Sequence, residues 1–186
     1  MTGPARSGKS RWAETLASRS GLQVAYLATG PELNGDTAWQ ERLRLHRQRR
    51  PSSWINREVG FALSTALREC QPEQIALVDS LGTWVAGGLD LVATDWRWHC
   101  EQLFSAIEDS PAPLILVGEE TGWGVVPATA AGGLFRDRLG SLLETLMERC
   151  DRAWLVIHGR ALDLKALSVP VPAAETDTDI DTDTDP

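Results

Sequence analysis

The chain has 186 residues, 42% of them hydrophobic, which is enough for one globular domain with a single core. Its formal net charge is −8, but six acids and no base lie in residues 175–186, so the rest carries only −2. That balance argues against a nucleic-acid-binding protein. Three cysteines without metal-ligand spacing, and no apolar run near the ~20 residues of a membrane span, predict a soluble cytoplasmic protein with reduced thiols.

Residues 3–10 match the phosphate-binding loop pattern G-x-x-x-x-G-K-S, followed by a predicted helix over residues 8–19. Lys9 would reach the β- and γ-phosphates of a nucleotide, and the Ser10 hydroxyl would bind Mg²⁺. A buried strand normally positions such a loop, yet only two residues precede it here. We therefore expect a truncated first strand and a natural chain that starts upstream of Met1. The nucleotide-binding candidates are all eight loop residues: Gly3, Pro4, Ala5, Arg6, Ser7, Gly8, Lys9 and Ser10.

Residues 24–28, Val-Ala-Tyr-Leu-Ala, form an apolar run that predicts a strand buried on both faces. Thr29, Gly30 and Pro31 follow at its carboxyl end. Ligands of open α/β sheets bind at that end of the strands, so these three residues are candidates for nucleotide binding. An ordinary turn explains the same residues equally well.

A helix is predicted over residues 36–50, and Pro51 ends it. At about 100° per residue, Arg42, His46 and Arg49 share one face, with Arg50 close by. A single imidazole among guanidinium groups suits the binding of phosphates. The alternatives are a solvated basic face and a weak nucleic-acid patch, the latter disfavoured by the overall charge.

Residues 60–70 are predicted to form a short helix, and residues 75–79, Ile-Ala-Leu-Val-Asp, the next strand. Asp79 ends that strand where a phosphate loop requires a carboxylate near the Mg²⁺ on Ser10. Asp79 is therefore a candidate for nucleotide and metal binding. An aspartate at this position is also common as a helix cap.

The remaining pattern continues the alternation of apolar strands and amphipathic helices. It predicts a three-layer α/β domain of the P-loop NTPase type with a mostly parallel sheet. We assign residues 1–167 to this domain and residues 168–186, which are rich in Pro, Ala, Thr and Asp, to a disordered acidic tail. The predicted elements are a helix over 95–109, a strand over 114–117, a glycine- and acid-rich loop over 118–127, a helix over 129–150 and a strand over 153–157.

Several short segments occur in one order that resembles the bifunctional adenosylcobinamide kinase / adenosylcobinamide-phosphate guanylyltransferase family of cobalamin biosynthesis. The resemblance covers residue 2 to about residue 165. The segment around His46 and the Gly-x-Gly-x-Val-Pro loop distinguish this family from other proteins with a phosphate loop. The segments are Gly-Pro-Ala-Arg-Ser-Gly-Lys-Ser-Arg (3–11), Tyr-Leu-Ala-Thr (26–29), Arg42 with His46, Arg50-Pro51 with Trp54, Val-Asp-Ser-Leu-Gly-Thr-Trp (78–84), Gly-Trp-Gly-Val-Val-Pro (122–127) and Phe-Arg-Asp with Gly140 (135–140).

This resemblance implies two reactions. A nucleoside triphosphate phosphorylates the aminopropanol hydroxyl of adenosylcobinamide, and GTP then transfers GMP to that phosphate with release of pyrophosphate. The resemblance makes His46 the nucleophile that becomes guanylylated and Lys9 the second catalytic residue. An imidazole is largely neutral, and therefore nucleophilic, at pH 7.

Other features are implied by the resemblance alone. They include ATP and GTP as substrates and a homotrimer with its site near the subunit boundary, whereas Mg²⁺ as cofactor also follows from the phosphate loop itself. The chain departs from the family at Ser80, which replaces Cys, and at Gly118-Glu119, which replace Ser-Asn and add a negative charge near the phosphate site. The guanine-nucleotide region is matched by Thr29, Gly30, Pro31, Arg47, Arg49, Arg50 and Glu58.

The residues alone leave two other functions open. One is a kinase of another small metabolite, in which His46 is incidental. The other is a nucleotide-binding regulator that binds GTP without turnover. Only the guanylyltransferase interpretation requires a covalent bond between the protein and GMP, so a guanylylated histidine would separate it from the other two.

Overall fold

Four parallel strands form the larger sheet, in the order β2–β1–β3–β4. The computed structural model describes residues 1–30, 41 and 50–172. β1 and β3 pair over their full length, from Gln23 opposite Gln74 to Ala28 opposite Asp79. Because the strands are parallel, their carboxyl ends lie at one edge, which is the edge that carries ligands in such sheets. The strands are β1 (Gln23–Ala28), β2 (Ile55–Glu58), β3 (Gln74–Asp79) and β4 (Leu114–Val117).

The residues before the phosphate loop lie between β4 and a hairpin of two further strands, β5 (Trp154–Ile157) and β6 (Arg160–Asp163). On one side, Met1 donates from its amine to the Leu116 carbonyl and accepts from the Gly118 N–H, at 2.6 and 2.9 Å. On the other side, Thr2 bonds to both Trp154 and Val156 of β5, at 2.8 and 2.9 Å. Met1 and Thr2 thus connect the larger sheet to the hairpin.

Helices cover both faces of the sheet, which confirms the predicted α/β fold. On one face, Ala13 and Ala17 of α1 pack on Val24, Tyr26 and Leu77. The other face packs on side chains of α2 to α5, among them Leu63, Trp84, Leu103 and Leu139. The helices are α1 (Lys9–Arg19), α2 (Leu63–Arg68), α3 (Leu81–Gly87), α4 (Ala93–Glu108), α5 (Ala130–Arg149) and α6 (Leu164–Leu167). None of these described helices is long and apolar enough to cross a bilayer.

Four short elements were not predicted from the sequence: β2, β6, α3 and α6. β2 reads Ile-Asn-Arg-Glu and β6 reads Arg-Ala-Leu-Asp, and both are mostly exposed. Among the described strands, each is an edge strand with a neighbour on one side only, so neither needs the apolar run that marks a buried strand. Most of the helix predicted over residues 36–50 falls outside the described residues.

Candidate active site

The phosphate loop is built against β5 by a backbone contact that requires glycine. A Cβ placed on Gly3 would lie 2.2 Å from the Val156 carbonyl oxygen and 2.9 Å from the Ser7 Oγ. The other end of the loop is held by the turn between β5 and β6, where the Gly159 N–H donates to the Ser7 carbonyl at 2.9 Å. Gly8, with φ of 99°, turns the chain into α1.

Lys9 and Ser10 begin α1, directly behind this turn. The N-cap residue, Gly8, has no side chain to cap the helix, and the Lys9 N–H donates instead to the Ser7 Oγ at 3.4 Å. The Lys9 side chain is mostly buried and its ammonium donates to the Pro4 carbonyl at 3.4 Å, which holds it across the loop. The arrangement offers backbone N–H groups and one cation to an anion such as a phosphate.

Asp79 ends β3 at the carboxyl edge of the sheet, as predicted. Its Oδ2 accepts a hydrogen bond from the Tyr26 hydroxyl at 2.6 Å. Tyr26 packs under α1 on one face of the sheet. Its hydroxyl therefore holds the Asp79 carboxylate on that same face, where the phosphate loop leads into α1. Burial, and then the negative charge of Asp79, raise the pKa of the Tyr26 hydroxyl, which therefore remains the proton donor.

The predicted residues Thr29 and Gly30 follow β1 at the same edge. Thr29 is buried, and its hydroxyl donates to the Ser80 carbonyl at 2.5 Å, accepts from the Ser80 N–H at 3.0 Å and lies 2.6 Å from the Thr83 Oγ1. Ser80 and Thr83 in turn form a capping box at the start of α3. The Thr29 hydroxyl therefore joins the end of β1 to the turn that follows Asp79.

Arg50 and Glu58 are the other nucleotide-region candidates that the structure describes. The Arg50 guanidinium carbon lies 3.4 Å from the centre of the Tyr26 ring, and Nη1 donates to Asn56 Oδ1 at 3.1 Å. Glu58 is exposed at the end of β2, opposite Ala28. Arg50 thus reaches Tyr26, the residue that contacts Asp79. The candidates Pro31, His46, Arg47 and Arg49 lie outside the described residues.

Glu119, one of the family departures, lies beside the same edge after β4. Its carboxylate accepts a hydrogen bond from the Gly82 N–H in the first turn of α3, at 2.9 Å. The neighbouring Glu120 N–H donates to the Gly3 carbonyl at 3.0 Å. The sequence showed the extra negative charge but not its partner, because residues 82 and 119 are joined only by the fold.

Ser10 and Asp79 fit the way in which proteins hold Mg²⁺ with a nucleotide. Mg²⁺ prefers oxygen ligands and is bound by one or two protein groups together with substrate phosphates and water. The described residues contain no cluster of three or more His, Cys, Asp or Glu side chains that could hold a metal ion. A hydroxyl and a single carboxylate are therefore a donor set that a nucleotide would complete.

A glycine-rich loop that leads into α1, with a carboxylate at the end of a parallel strand, defines a nucleotide-binding protein of the P-loop class. Residues 1–164 match the model of a family described as cobinamide kinase / cobinamide phosphate guanyltransferase, and the chain belongs to this family. The family predicted from the motifs is thereby confirmed. Its description denotes a kinase and a guanylyltransferase, which are the activities that the sequence predicted.

Curated relatives of known name cover nearly the same region. The bifunctional adenosylcobalamin biosynthesis protein CobP of Pseudomonas aeruginosa is 39% identical over 168 residues, spanning 89% of this chain and 95% of that protein. The bifunctional adenosylcobalamin biosynthesis protein CobU of Escherichia coli is 32% identical over 180 residues, spanning 89% of this chain and 98% of that protein. The similarity therefore extends over almost the whole length of both relatives.

Proposed function

We propose that this chain phosphorylates the aminopropanol hydroxyl of adenosylcobinamide and then transfers GMP from GTP to adenosylcobinamide phosphate. The observation that carries the proposal is that the phosphate loop and Asp79 lie at the same edge of the sheet, in a chain that belongs to this family. Lys9 neutralises charge on the β- and γ-phosphates in both reactions. ATP and GTP are the nucleotide substrates that the family implies.

In the second reaction we assign the nucleophile to His46. Its neutral imidazole nitrogen attacks the α-phosphorus of GTP, the bond to pyrophosphate breaks, and a phosphoramidate forms. An oxygen of adenosylcobinamide phosphate then attacks the same phosphorus, and the N–P bond breaks to regenerate His46. Thr29, Gly30, Pro31 and Glu58 are assigned to nucleotide binding, as are Arg47, Arg49 and Arg50, whose positive charges would stabilise the phosphates and the leaving pyrophosphate.

Mg²⁺ is assigned to Ser10 and Asp79. When bound, the ion supplies charge neutralisation at the β- and γ-phosphates. Ser10 contributes a hydroxyl from the start of α1, and Asp79 contributes a carboxylate whose second oxygen is held by Tyr26.

Covalent labelling tests the proposal most directly. Incubation with [α-³²P]GTP should label the protein, whereas [γ-³²P]GTP should not, and the label should be acid-labile and base-stable as a phosphoramidate is. His46→Ala should abolish the labelling while nucleotide binding stays near that of the parent. His158→Asn is a matched control, because His158 lies exposed in the β5–β6 turn at a φ of 49°, a conformation that asparagine tolerates. Labelling that survives His46→Ala would show that another residue is the nucleophile.

We further propose a homotrimer, a cytoplasmic location and a catalytic unit made of residues 1–167. The trimer is carried by the family alone, and sedimentation of the purified protein at three times the chain mass would support it. The catalytic unit is carried by the family match, which ends at residue 164. Removal of residues 170–186 should leave both activities and the melting temperature unchanged, because that segment offers almost no apolar surface to bury.

A further inference from the structure

Tyr26 is a buried aromatic side chain of β1. It lies next to the carboxyl edge of the larger sheet, which we call the site edge. Only 1% of its surface is exposed. The Trp54 ring stacks near it, with centroids 6.2 Å apart and an angle of 24° between the planes, and the Arg50 guanidinium lies 3.4 Å from the ring centre. The ring therefore has one orientation, which aims its hydroxyl at Asp79.

That hydroxyl is the one side-chain donor to the Asp79 carboxylate among the described residues. A carboxylate at the end of a strand can rotate about its side-chain torsions, and rotation would move its oxygens relative to Ser10. A hydrogen bond of 2.6 Å to a buried phenol removes that freedom, because Oδ2 is fixed and Oδ1 is then directed by the same geometry.

We propose that Tyr26 is a positioning residue that orients the Asp79 carboxylate for the metal–nucleotide complex on the phosphate loop. This inference rests on the proposed function, since it takes Asp79 as the carboxylate that faces the metal. It adds a residue with no direct contact to the nucleotide, acting through Asp79. Arg50 lies against the ring whose hydroxyl holds the carboxylate, so it contacts the residue that positions Asp79.

The first test measures metal affinity without turnover. Mn²⁺ would be titrated into the trapped complex with a non-hydrolysable ATP analogue and detected by electron paramagnetic resonance. Tyr26→Phe keeps the ring for Arg50 and Trp54 and removes only the donor, and it should weaken Mn²⁺ binding about tenfold, as expected for a lost hydrogen bond to a charged group. The affinity for the metal-free analogue should not change. Half-activation of the kinase step by Mg²⁺ should shift by a similar factor.

Two further variants separate positioning from packing. Trp54→Phe alters the packing of the same ring without touching the hydroxyl, and it should keep the parental Mn²⁺ affinity. Asp79→Asn should lose the metal, and adding Tyr26→Phe to Asp79→Asn should have no additional effect. Equal losses in Tyr26→Phe and Trp54→Phe would overturn the proposal, as would parental affinity in Tyr26→Phe.

The outcome with Asp79→Asn distinguishes this inference from the function on which it depends. If Asp79→Asn weakens Mn²⁺ binding and Tyr26→Phe does not, only the role of Tyr26 is wrong. If Asp79→Asn itself keeps the parental affinity, the metal assignment fails and the role of Tyr26 fails with it.

A spectroscopic test leaves the Tyr26 ring and its hydroxyl in place. Tyr26 is the only tyrosine in the chain, so protein grown with 3-fluorotyrosine gives a single ¹⁹F resonance from this position. Addition of Mg²⁺ to the complex with the ATP analogue should shift that resonance, and the shift should be absent in Asp79→Asn. A resonance that does not move when Mg²⁺ is added would overturn the proposal.

Discussion

The two sides of the site edge are stabilised by different kinds of contact. On the β5 side, the phosphate loop is held by backbone atoms, as Gly3 lies against the Val156 carbonyl and Gly159 donates to Ser7. On the β1 and β3 side, side chains hold the edge, through the pairs Tyr26–Asp79 and Thr29–Ser80. The loop side is therefore sensitive to a side-chain atom added at Gly3, whereas the strand side is sensitive to the loss of a polar atom.

The same difference separates the groups that would bind the nucleotide from the groups that would position them. The loop presents backbone N–H groups and Lys9, which are groups that meet a phosphate directly. The strand side presents Asp79, whose carboxylate accepts a hydrogen bond from the Tyr26 hydroxyl. Substitutions on the loop side are expected to reduce activity most, and substitutions behind Asp79 to reduce metal affinity or stability.

The largest effect is expected for Lys9→Ala, which should lower both activities by at least about a hundredfold. A preorganised charge that meets the transferring phosphates contributes on the order of 10²–10³ in rate. Lys165→Ala is the matched control, because the chain's other lysine is exposed in α6. Steady-state rates of both reactions would be measured at saturating nucleotide. Full kinase activity in Lys9→Ala would show that the loop is not the nucleotide site.

A smaller effect is expected for Gly3→Ala, which tests whether the backbone contact sets the loop. The new Cβ would overlap the Val156 carbonyl oxygen, and such overpacking costs about 1–3 kcal/mol. Nucleotide affinity should fall along with the free energy of unfolding. Gly133→Ala serves as the control, since a Cβ there meets nothing within 4 Å and the position is helical, where alanine is favoured over glycine. An unchanged nucleotide affinity in Gly3→Ala would contradict the backbone explanation.

The same difference explains how much of the site could be predicted. The loop motif and Asp79 are local patterns, a glycine spacing and the end of an apolar run, so the sequence contains them. The bond from Tyr26 to Asp79 joins residues 53 positions apart, and that from Gly82 to Glu119 joins residues 37 positions apart. Both depend on the strand order, which no local pattern specifies.

The fold shows a similar division. Buried strands such as β1 and β3 are apolar on both faces and were predicted to within a residue or two. The short terminal strands β2 and β6 are polar and exposed, so their sequences resemble loops. The helix α3 contains two glycines in seven residues, and its capping box and buried Trp84 stabilise it where intrinsic propensity does not.

The smallest effect on activity is expected for Thr29→Val, which tests the strand side. Because the Thr29 hydroxyl is bonded to Ser80, Thr29 would meet the nucleotide through its backbone, which valine keeps. Valine keeps the shape of the side chain but removes one hydrogen-bonding hydroxyl. The Ser80 N–H and carbonyl retain the Thr83 Oγ1 as a partner, at 3.4 and 3.0 Å, so the free energy of unfolding should fall by about 0.5–1.5 kcal/mol. Thr145→Val is the control, because the Thr145 hydroxyl bonds to a carbonyl on the exposed surface of α5. Urea unfolding would measure the stability of both variants, and calorimetric titration with GTP would measure affinity. A stability equal to that of the parent, together with weakened GTP binding, would show that the Thr29 hydroxyl serves the nucleotide rather than the turn after Asp79.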